Sequence, residues 1–320
     1  MSAEDDAGAD PIGTFAAFGE FDARLRCAEA VGVDSGASLT KLCARDEGGA
    51  LHFATWPAPS HERVIDLLDQ LTPLRIGITG CGAAALATAL RPKATAVGRT
   101  LTAPVEFEAW ARGATEMLAR RDQAREGPYL LVSVGTGTSM LRIEGARVER
   151  VGGTALGGGT TLGLGRALLG IHTPDALEAL ANGGERQRVD LMISDLFEDP
   201  AAAPSAVVAS AFGKLGRSNT PQTGVPTHPT PREQDLAAAV LGLVGDNIGL
   251  LAHAHAQAAG VSRIVYGGST LQSHPRIAQT LELFGLALGH ETIVLPRGGH
   301  AGALGALLIG SDPPSVDPTP

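Results

Sequence analysis

The chain has 320 residues, 44% hydrophobic and only 4% aromatic, with 42 glycines and a formal net charge of −9. This length accommodates one large domain or two of ordinary size around a real core, and the scarcity of aromatics points to close backbone packing by small residues. Lys and Arg are scattered along the chain, which excludes a duplex-binding surface and with it nucleic acid as a partner, and no uninterrupted apolar run of about 18 residues marks a membrane span.

Residues 1–28 carry Glu4, Asp5, Asp6 and Asp10 and little periodicity. They read as a flexible acidic extension with one short helix near Phe15 to Cys27, and they lack the basic start and apolar centre of a secretory signal. From Ala30 the pattern sharpens. Val31-Gly32-Val33, the turn Asp34-Ser35-Gly36-Ala37-Ser38 and then Leu39-Thr40-Lys41-Leu42 read as strand, tight turn, strand. Val64, Leu67, Leu68 and Leu71 form a helical stripe after Ser60 as a candidate cap. Arg75-Ile76-Gly77-Ile78-Thr79-Gly80-Cys81-Gly82 is a buried strand entering a glycine turn and an alanine-rich helix. Phe107, Trp110, Ala111, Ala114, Met117 and Leu118 mark another amphipathic helix, led in by Pro104 and Glu106.

The second half repeats this plan. Leu130 to Val134 leads into Gly135-Thr136-Gly137-Thr138-Ser139, so that Val33 overlays Val134, Gly36 overlays Gly137 and Ser38 overlays Ser139. The glycine-rich stretch Arg150 to Thr160 follows. Asp235 to Ala259 is a long Ala/Leu helix, and Ser218 to Pro231 is a loop with four prolines. Arg263-Ile264-Val265-Tyr266-Gly267-Gly268-Ser269 is again a strand, a glycine turn and the start of a helix. Residues 311–320 read as a disordered tail. Two such halves predict an N-terminal lobe at 29–128 and a C-terminal lobe at 129–310, α/β in class, with ligand bound in the cleft at the strand ends.

The chemistry points to phosphate. Glycine turns let backbone N–H groups approach an anion, and Thr136, Thr138, Ser139, Thr154 and Thr160 add hydroxyl donors. Arg150 beside them can grip an oxyanion in a planar fork. Neither a P-loop nor a dinucleotide fingerprint is present. Asp34 suits either a hydrated Mg²⁺ beside polyphosphate or an Asx-type turn. Lys41 suits either a phosphate or a solvated strand. Glu106 at a helix start suits either proton abstraction from a hydroxyl or helix-dipole stabilisation, would stay ionised near neutral pH, and competes for the role with Glu108. His253 and His255, two apart on a helix, fall on different faces and do not share a metal. Cys27, Cys43 and Cys81 have no paired or metal-ligand spacing, read as small buried hydrophobes, and in their odd number fit a reducing cytosol.

Taken together, Arg150 to Thr160 with Leu162-Gly163-Leu164-Gly165, Val208-Ala209-Ser210-Ala211-Phe212-Gly213, Asp235 through Asp246-Asn247-Ile248-Gly249, and Gly298-Gly299-His300-Ala301-Gly302 through Leu307 resemble the type II (eukaryotic-like) pantothenate kinases. These belong to the actin/sugar-kinase/Hsp70 superfamily, and the resemblance spans about Val31 to Gly310. It implies a two-lobed, duplicated ribonuclease-H-like fold with a central cleft, and a cytoplasmic phosphotransferase that passes the ATP γ-phosphoryl to pantothenate in the first step of coenzyme A synthesis. Glu106 falls on the family's catalytic base, and Arg150 on the arginine that binds substrate and helps at the transferring group. Asp34 would serve Mg²⁺, and Ser35, Gly36, Ala37, Ser38 and Lys41 the phosphates, with Gly135, Thr136, Gly137 and the run Gly157, Gly158, Gly159, Thr160. Thr136 and Ser139 fall at the pantothenate and phosphate end, and Gly267 and Gly268 on the adenosine side. The resemblance also implies a homodimer built partly on the 235–259 helix, with CoA or acyl-CoA as a feedback ligand in some relatives.

The family's first turn reads Asp-x-Gly-Gly-Thr, whereas here Ala37 and Ser38 stand at its last two positions. Were that alanine at positive φ, it would cost about 1 kcal/mol or more in strain. Two rivals share these features: a sugar or amino-sugar kinase of the same superfamily, and a nucleotide- or CoA-binding regulator without turnover.

Overall fold

The computed structural model describes residues 10–197, 207–216 and 231–311. The expectations for residues 1–9, for nearly all of the 218–231 loop and for the tail beyond Ser311 fall outside these limits.

Thirteen strands and nine α-helices among the described residues are arranged around two main sheets. The first half runs β1 (Thr14–Phe15), β2 (Ala30–Ser35), β3 (Leu39–Arg45), β4 (Leu51–Pro57), α1 (His61–Leu71), β5 (Arg75–Thr79), α2 (Ala83–Ala96), β6 (Thr100–Thr102) and α3 (Glu106–Arg120). Its sheet has the order β1-β4-β3-β2-β5-β6. The second half begins with β7 (Tyr129–Val134), β8 (Thr138–Glu144), β9 (Arg147–Thr154), α4 (Gly158–Leu169) and α5 (Pro174–Ala181). It continues through the short ribbon β10 (Leu191–Met192) and β11 (Val208–Ser210), and α6 (Glu233–Ala258). It ends with β12 (Arg263–Gly267), α7 (Ser269–Ser273), α8 (Pro275–Leu288), β13 (Glu291–Val294) and α9 (Ala301–Ser311). Its sheet has the order β13-β12-β7-β8-β9.

The expected duplication is visible in these orders. In each half an antiparallel meander (β2-β3-β4, then β7-β8-β9) has parallel strands added beside its first member (β5 and β6, then β12 and β13). Each hairpin turn therefore emerges beside a strand that ends in a glycine turn, at the same edge of its sheet.

Sequence periodicity is realised closely in α1, whose buried residues are Val64, Leu67, Leu68 and Leu71; each such side chain contributes about 1.5–3 kcal/mol by leaving water. Ser60 does not cap this helix through its side chain; its hydroxyl donates to Pro57 O instead. The helix expected over Phe15 to Cys27 does not form. Phe15 lies in β1, parallel to β4, and stacks on Phe53 with ring centroids 4.5 Å apart, while Ile12 is buried. Residues 10–28 are thus tied to the first sheet by a pair of aromatic rings that an edge strand aligns.

The small-residue packing has a specific site. α9 follows β13 in sequence yet lies on β2 and β5 of the first sheet and along α3, so the first lobe gains its last helix from beyond 300. Glycine makes the approach possible: a Cβ on Gly32 of β2 would sit 2.0 Å from Ala303 O, and one on Gly113 of α3 1.8 Å from Ala301 O. Trp110, Met117 and Leu304 from these two helices share one buried cluster with Phe53 of the first sheet and Leu131 and Val265 of the second. α6 has the length and apolar composition of a membrane span, although its sequence is interrupted by charged residues; Val240, Leu241, Val244 and Ile248 are buried in the core of the second lobe.

Candidate functional site between the two hairpin turns

Strand pairing places the first charged pair. Asp34 stands opposite Lys41 across β2 and β3, and Lys41 Nζ lies 3.3 Å from Asp34 Oδ2 with both side chains buried. Burial pushes the Asp34 carboxyl above its ordinary range, and the Lys41 ammonium opposes that shift. The carboxylate sits in a cradle cut for it. A Cβ on Gly80 would come 2.7 Å from Oδ1, and one on Gly302 2.8 Å from Oδ2. Among the described residues no cluster of three His, Cys, Asp or Glu is gathered for a metal.

The two hairpin turns meet. Ser38 Oγ is 2.9 Å from Thr136 Oγ1, two residues 98 positions apart. The strain expected at Ala37 is absent, because the non-glycine residues of positive φ among those described are Thr72, Asp122, Phe212 and Arg297. The turn accommodates alanine in an ordinary conformation.

A cavity of about 400 Å³ opens between the turns. Glu106, at the first position of α3, and Arg150, on β9 beside a register shift, both line it, together with Asp34, Lys41, Ser38 and Ser139. Gly36, Ala37, Gly135, Thr136 and Gly137 line it as well. Arg150 Cζ lies over the Phe107 ring, 6.0 Å from its centroid, and no carboxylate among the described residues pairs with it. The helix start was expected to keep Glu106 ionised. Desolvation, with the Asp34 charge adding to it and Lys41 opposing, shifts its carboxyl upward from the ordinary glutamate range.

A second cavity of about 260 Å³ adjoins the first and shares Ser38, Leu39, Gly135, Thr136 and Ser269 with it. Gly158 and Gly159 line it, yet their N–H groups do not point to a free anion. They donate to Gly135 O at 2.8 Å and Thr136 O at 2.9 Å, docking the start of α4 onto the turn. Gly157 lies directly over that turn, where a Cβ would meet Thr136 O at 2.7 Å, and the Thr160 hydroxyl donates to Ala155 O. The Gly36 and Gly135 N–H groups likewise close their own turns onto Leu39 O and Gly137 O. Several glycines read as phosphate donors thus shape the site, and hydroxyls present themselves to it. Ser35 is buried, its carbonyl accepting from Gly82 N. Gly267 and Gly268 form neither cavity wall. At φ +117 Gly268 threads past Val134 O, where a Cβ would stand 2.1 Å away, and thereby delivers Ser269 and Thr270 to the second cavity.

Sequence reading passed over Thr270, His274, Trp110 and Cys81 as lining residues. Trp110 had a signal, one turn of helix after Glu106 on the same face. Cys81 had one in the glycine turn that carries it. Of the three cysteines only Cys43 is buried; Cys27 and Cys81 are exposed, which corrects the expectation that all three are core residues. His253 does not share a face with His255 but meets His290, Nδ1 to Nδ1 at 3.0 Å.

The Fumble family matches residues 33–309. A type II pantothenate kinase of Oceanobacillus iheyensis is 32% identical over 280 residues, covering 87% of this chain and 98% of its own. One from Staphylococcus haemolyticus is 30% identical, covering 87% and 99%. Among solved structures, a ROK family glucokinase from Streptomyces griseus in complex with glucose and AMPPNP aligns with a TM-score of 0.51 at 16% identity, covering 88% of this chain and 98% of that one. At that identity the likeness concerns the fold, a two-lobed α/β architecture of the sugar-kinase type.

Proposed function

The chain belongs to the Fumble family, that of the type II pantothenate kinases, and from that premise we infer that the cleft between its hairpin turns is where ATP and pantothenate meet. The protein is a pantothenate kinase: it phosphorylates pantothenate with ATP, in coenzyme A biosynthesis.

One observation carries the assignment of roles, namely that Glu106, Arg150, Asp34 and both turns line a single cavity. Glu106 takes the proton from the terminal hydroxyl of pantothenate as the oxygen attacks. Arg150, with no carboxylate partner among the described residues and steadied on Phe107, faces the charge that develops on the transferring phosphoryl group, and Lys41 adds a positive charge. Ser38, Thr136 and Ser139 present hydroxyls to phosphate and to the acceptor end. The second cavity, with Thr270 and the start of α4 on its walls, takes the adenosine.

Asp34 fits a Mg²⁺ of the phosphotransfer type, which binds through one or two carboxylates plus substrate phosphates. Its carboxylate lies close against Gly80 and Gly302 and lines the cavity. Bound there, the ion would neutralise polyphosphate charge.

Leu250 on α6, with Leu283 and Leu286 on α8, is exposed, which supports a homodimer built on that helix layer; sedimentation of the purified protein tests it. CoA and acyl-CoA carry an adenosine of their own, which supports competition with ATP at the second cavity and is tested by inhibition kinetics. Free cysteines fit the cytoplasm. The deciding assay for the activity is ADP release with and without pantothenate, run beside a panel of sugars and amino sugars. ADP formed with a sugar and not with pantothenate would favour the sugar-kinase reading; nucleotide binding without ADP release would favour a regulator.

A further inference from the structure

The second cavity holds one buried titratable side chain with both ring nitrogens engaged and no part in the transfer step. His274, between α7 and α8, is 1% exposed. Its Nδ1 lies 3.3 Å from Glu178 Oε2 on α5, and its Nε2 lies 3.4 Å from Thr161 Oγ1 on α4. The other oxygen of Glu178 accepts the Arg276 N–H at 3.2 Å. Burial favours the neutral imidazole, so Nδ1–H donates to the Glu178 carboxylate and Nε2 is the acceptor; the Thr161 hydroxyl, 2.9 Å from Gly158 O as well, shares its proton between that carbonyl and the ring. Gly158 N–H in turn donates to Gly135 O at 2.8 Å, and the same carbonyl accepts from Thr270 Oγ1 at 2.8 Å. An unbroken chain of contacts therefore runs from Glu178 through the imidazole to the turn that carries Thr136.

This chain joins the walls of the cavity. α4 supplies Gly158 and Leu162, the start of α5 supplies Pro174, and α7 with the following residue supplies Ser269 and His274. The imidazole touches a side chain on both other helices. A ligand entering the cavity meets walls already spaced, and preorganisation of this kind raises affinity without a new contact to the ligand.

We propose that His274 is a positioning residue for the nucleotide: the Glu178–His274–Thr161 relay spaces the walls of the second cavity and thereby sets affinity for the nucleoside half of ATP. The proposal rests on the reading that this cleft takes ATP. The relay leaves the reacting atoms alone, so its loss alters nucleotide binding and spares the chemical step.

Titration calorimetry with a non-hydrolysable ATP analogue, paired with steady-state kinetics, tests this. His274→Ala removes two hydrogen bonds and is expected to weaken the analogue about tenfold, and His274→Gln, which keeps one link, about threefold. The KM for ATP rises in parallel, while kcat at saturating ATP and the KM for pantothenate stay within about twofold. A folded His274→Ala protein with unchanged analogue affinity, or one that loses kcat and both KM values together, overturns the relay. Should that variant fail to fold, Thr161→Val breaks the same chain with little change in shape. A loss of about threefold in analogue affinity supports the proposal and no loss overturns it. Wild-type protein that binds the analogue but makes no phosphopantothenate would overturn the pantothenate reading alone.

Discussion

Ser38 Oγ and Thr136 Oγ1 lie 2.9 Å apart, the hydroxyl tips of two turns that the duplicated topology carries to one point. Both residues line both cavities, where the path proposed for a polyphosphate crosses from one to the other. Each hydroxyl can exchange its partner for a phosphate oxygen. Ser38→Ala is therefore expected to raise the KM for ATP about three- to tenfold, while the free protein loses no more than about 1 kcal/mol of stability, the worth of one exposed neutral hydrogen bond. Kinetics and denaturant melts measure the two. A large stability loss with an unchanged KM would make the pair structural.

Glu106 should separate activity from stability. Glu106→Gln is expected to lower kcat by about 10² to 10⁴. In the native protein, desolvation and the Asp34 charge raise the Glu106 pKa, so the acid limb of the kcat/KM profile lies above the ordinary glutamate range and activity falls as pH drops through it. The stability sign is opposite. A folded-state pKa raised above the unfolded one favours the protonated form, giving a contribution present below the unfolded pKa and lost as pH rises through the folded one. At neutral pH the charged carboxylate is thus a burden, and Glu106→Gln should melt no lower than wild type. An acid limb at or below the usual glutamate position would refute the coupling to Asp34.

Arg150 has its guanidinium over the Phe107 ring. Arg150→Lys keeps the charge but loses the planar fork, and a fall in kcat of about 10-fold or more is expected. Phe107→Leu keeps apolar bulk and removes the π face, worth about 0.5–1 kcal/mol at an exposed site, so kcat should fall only about two- to fivefold. Pre-steady-state measurement of the transfer step distinguishes either effect from slow product release.

Gly302 offers a test of the Asp34 cradle. A methyl there would stand 2.8 Å from Oδ2 and 3.1 Å from Trp110 Nε1. Gly302→Ala must displace the carboxylate or the helix, at a cost of about 1–3 kcal/mol, and should raise the Mg²⁺ concentration needed for half-maximal activity. An unchanged Mg²⁺ requirement would remove Asp34 from cation binding.

The parts of the molecule that obey local rules were legible in the sequence. The α1 stripe is a 3.6-residue period, the duplicated hairpins are glycine turns between apolar runs, and the α3 stripe placed Glu106 at a helix start. What escaped depends on distant partners. Nothing within Thr14-Phe15 announces a strand until Phe53 is beside it. Nothing in the Gly157 to Thr160 run says that Gly135 O and Thr136 O will claim two of its N–H groups. Ala37 looked strained only by comparison with a glycine; its own φ is unremarkable.

α9 has a consequence for how the molecule is made. The sheet completed first during synthesis is covered by the helix made late, since residues 301–311 close over strands that begin at residue 30. Until that segment leaves the ribosome, the early strands present a bare apolar face, a state prone to association and in need of shelter. Maturation of this enzyme is thus gated by its own far end, and cutting the chain before Ala301 should yield insoluble protein rather than a free-standing half.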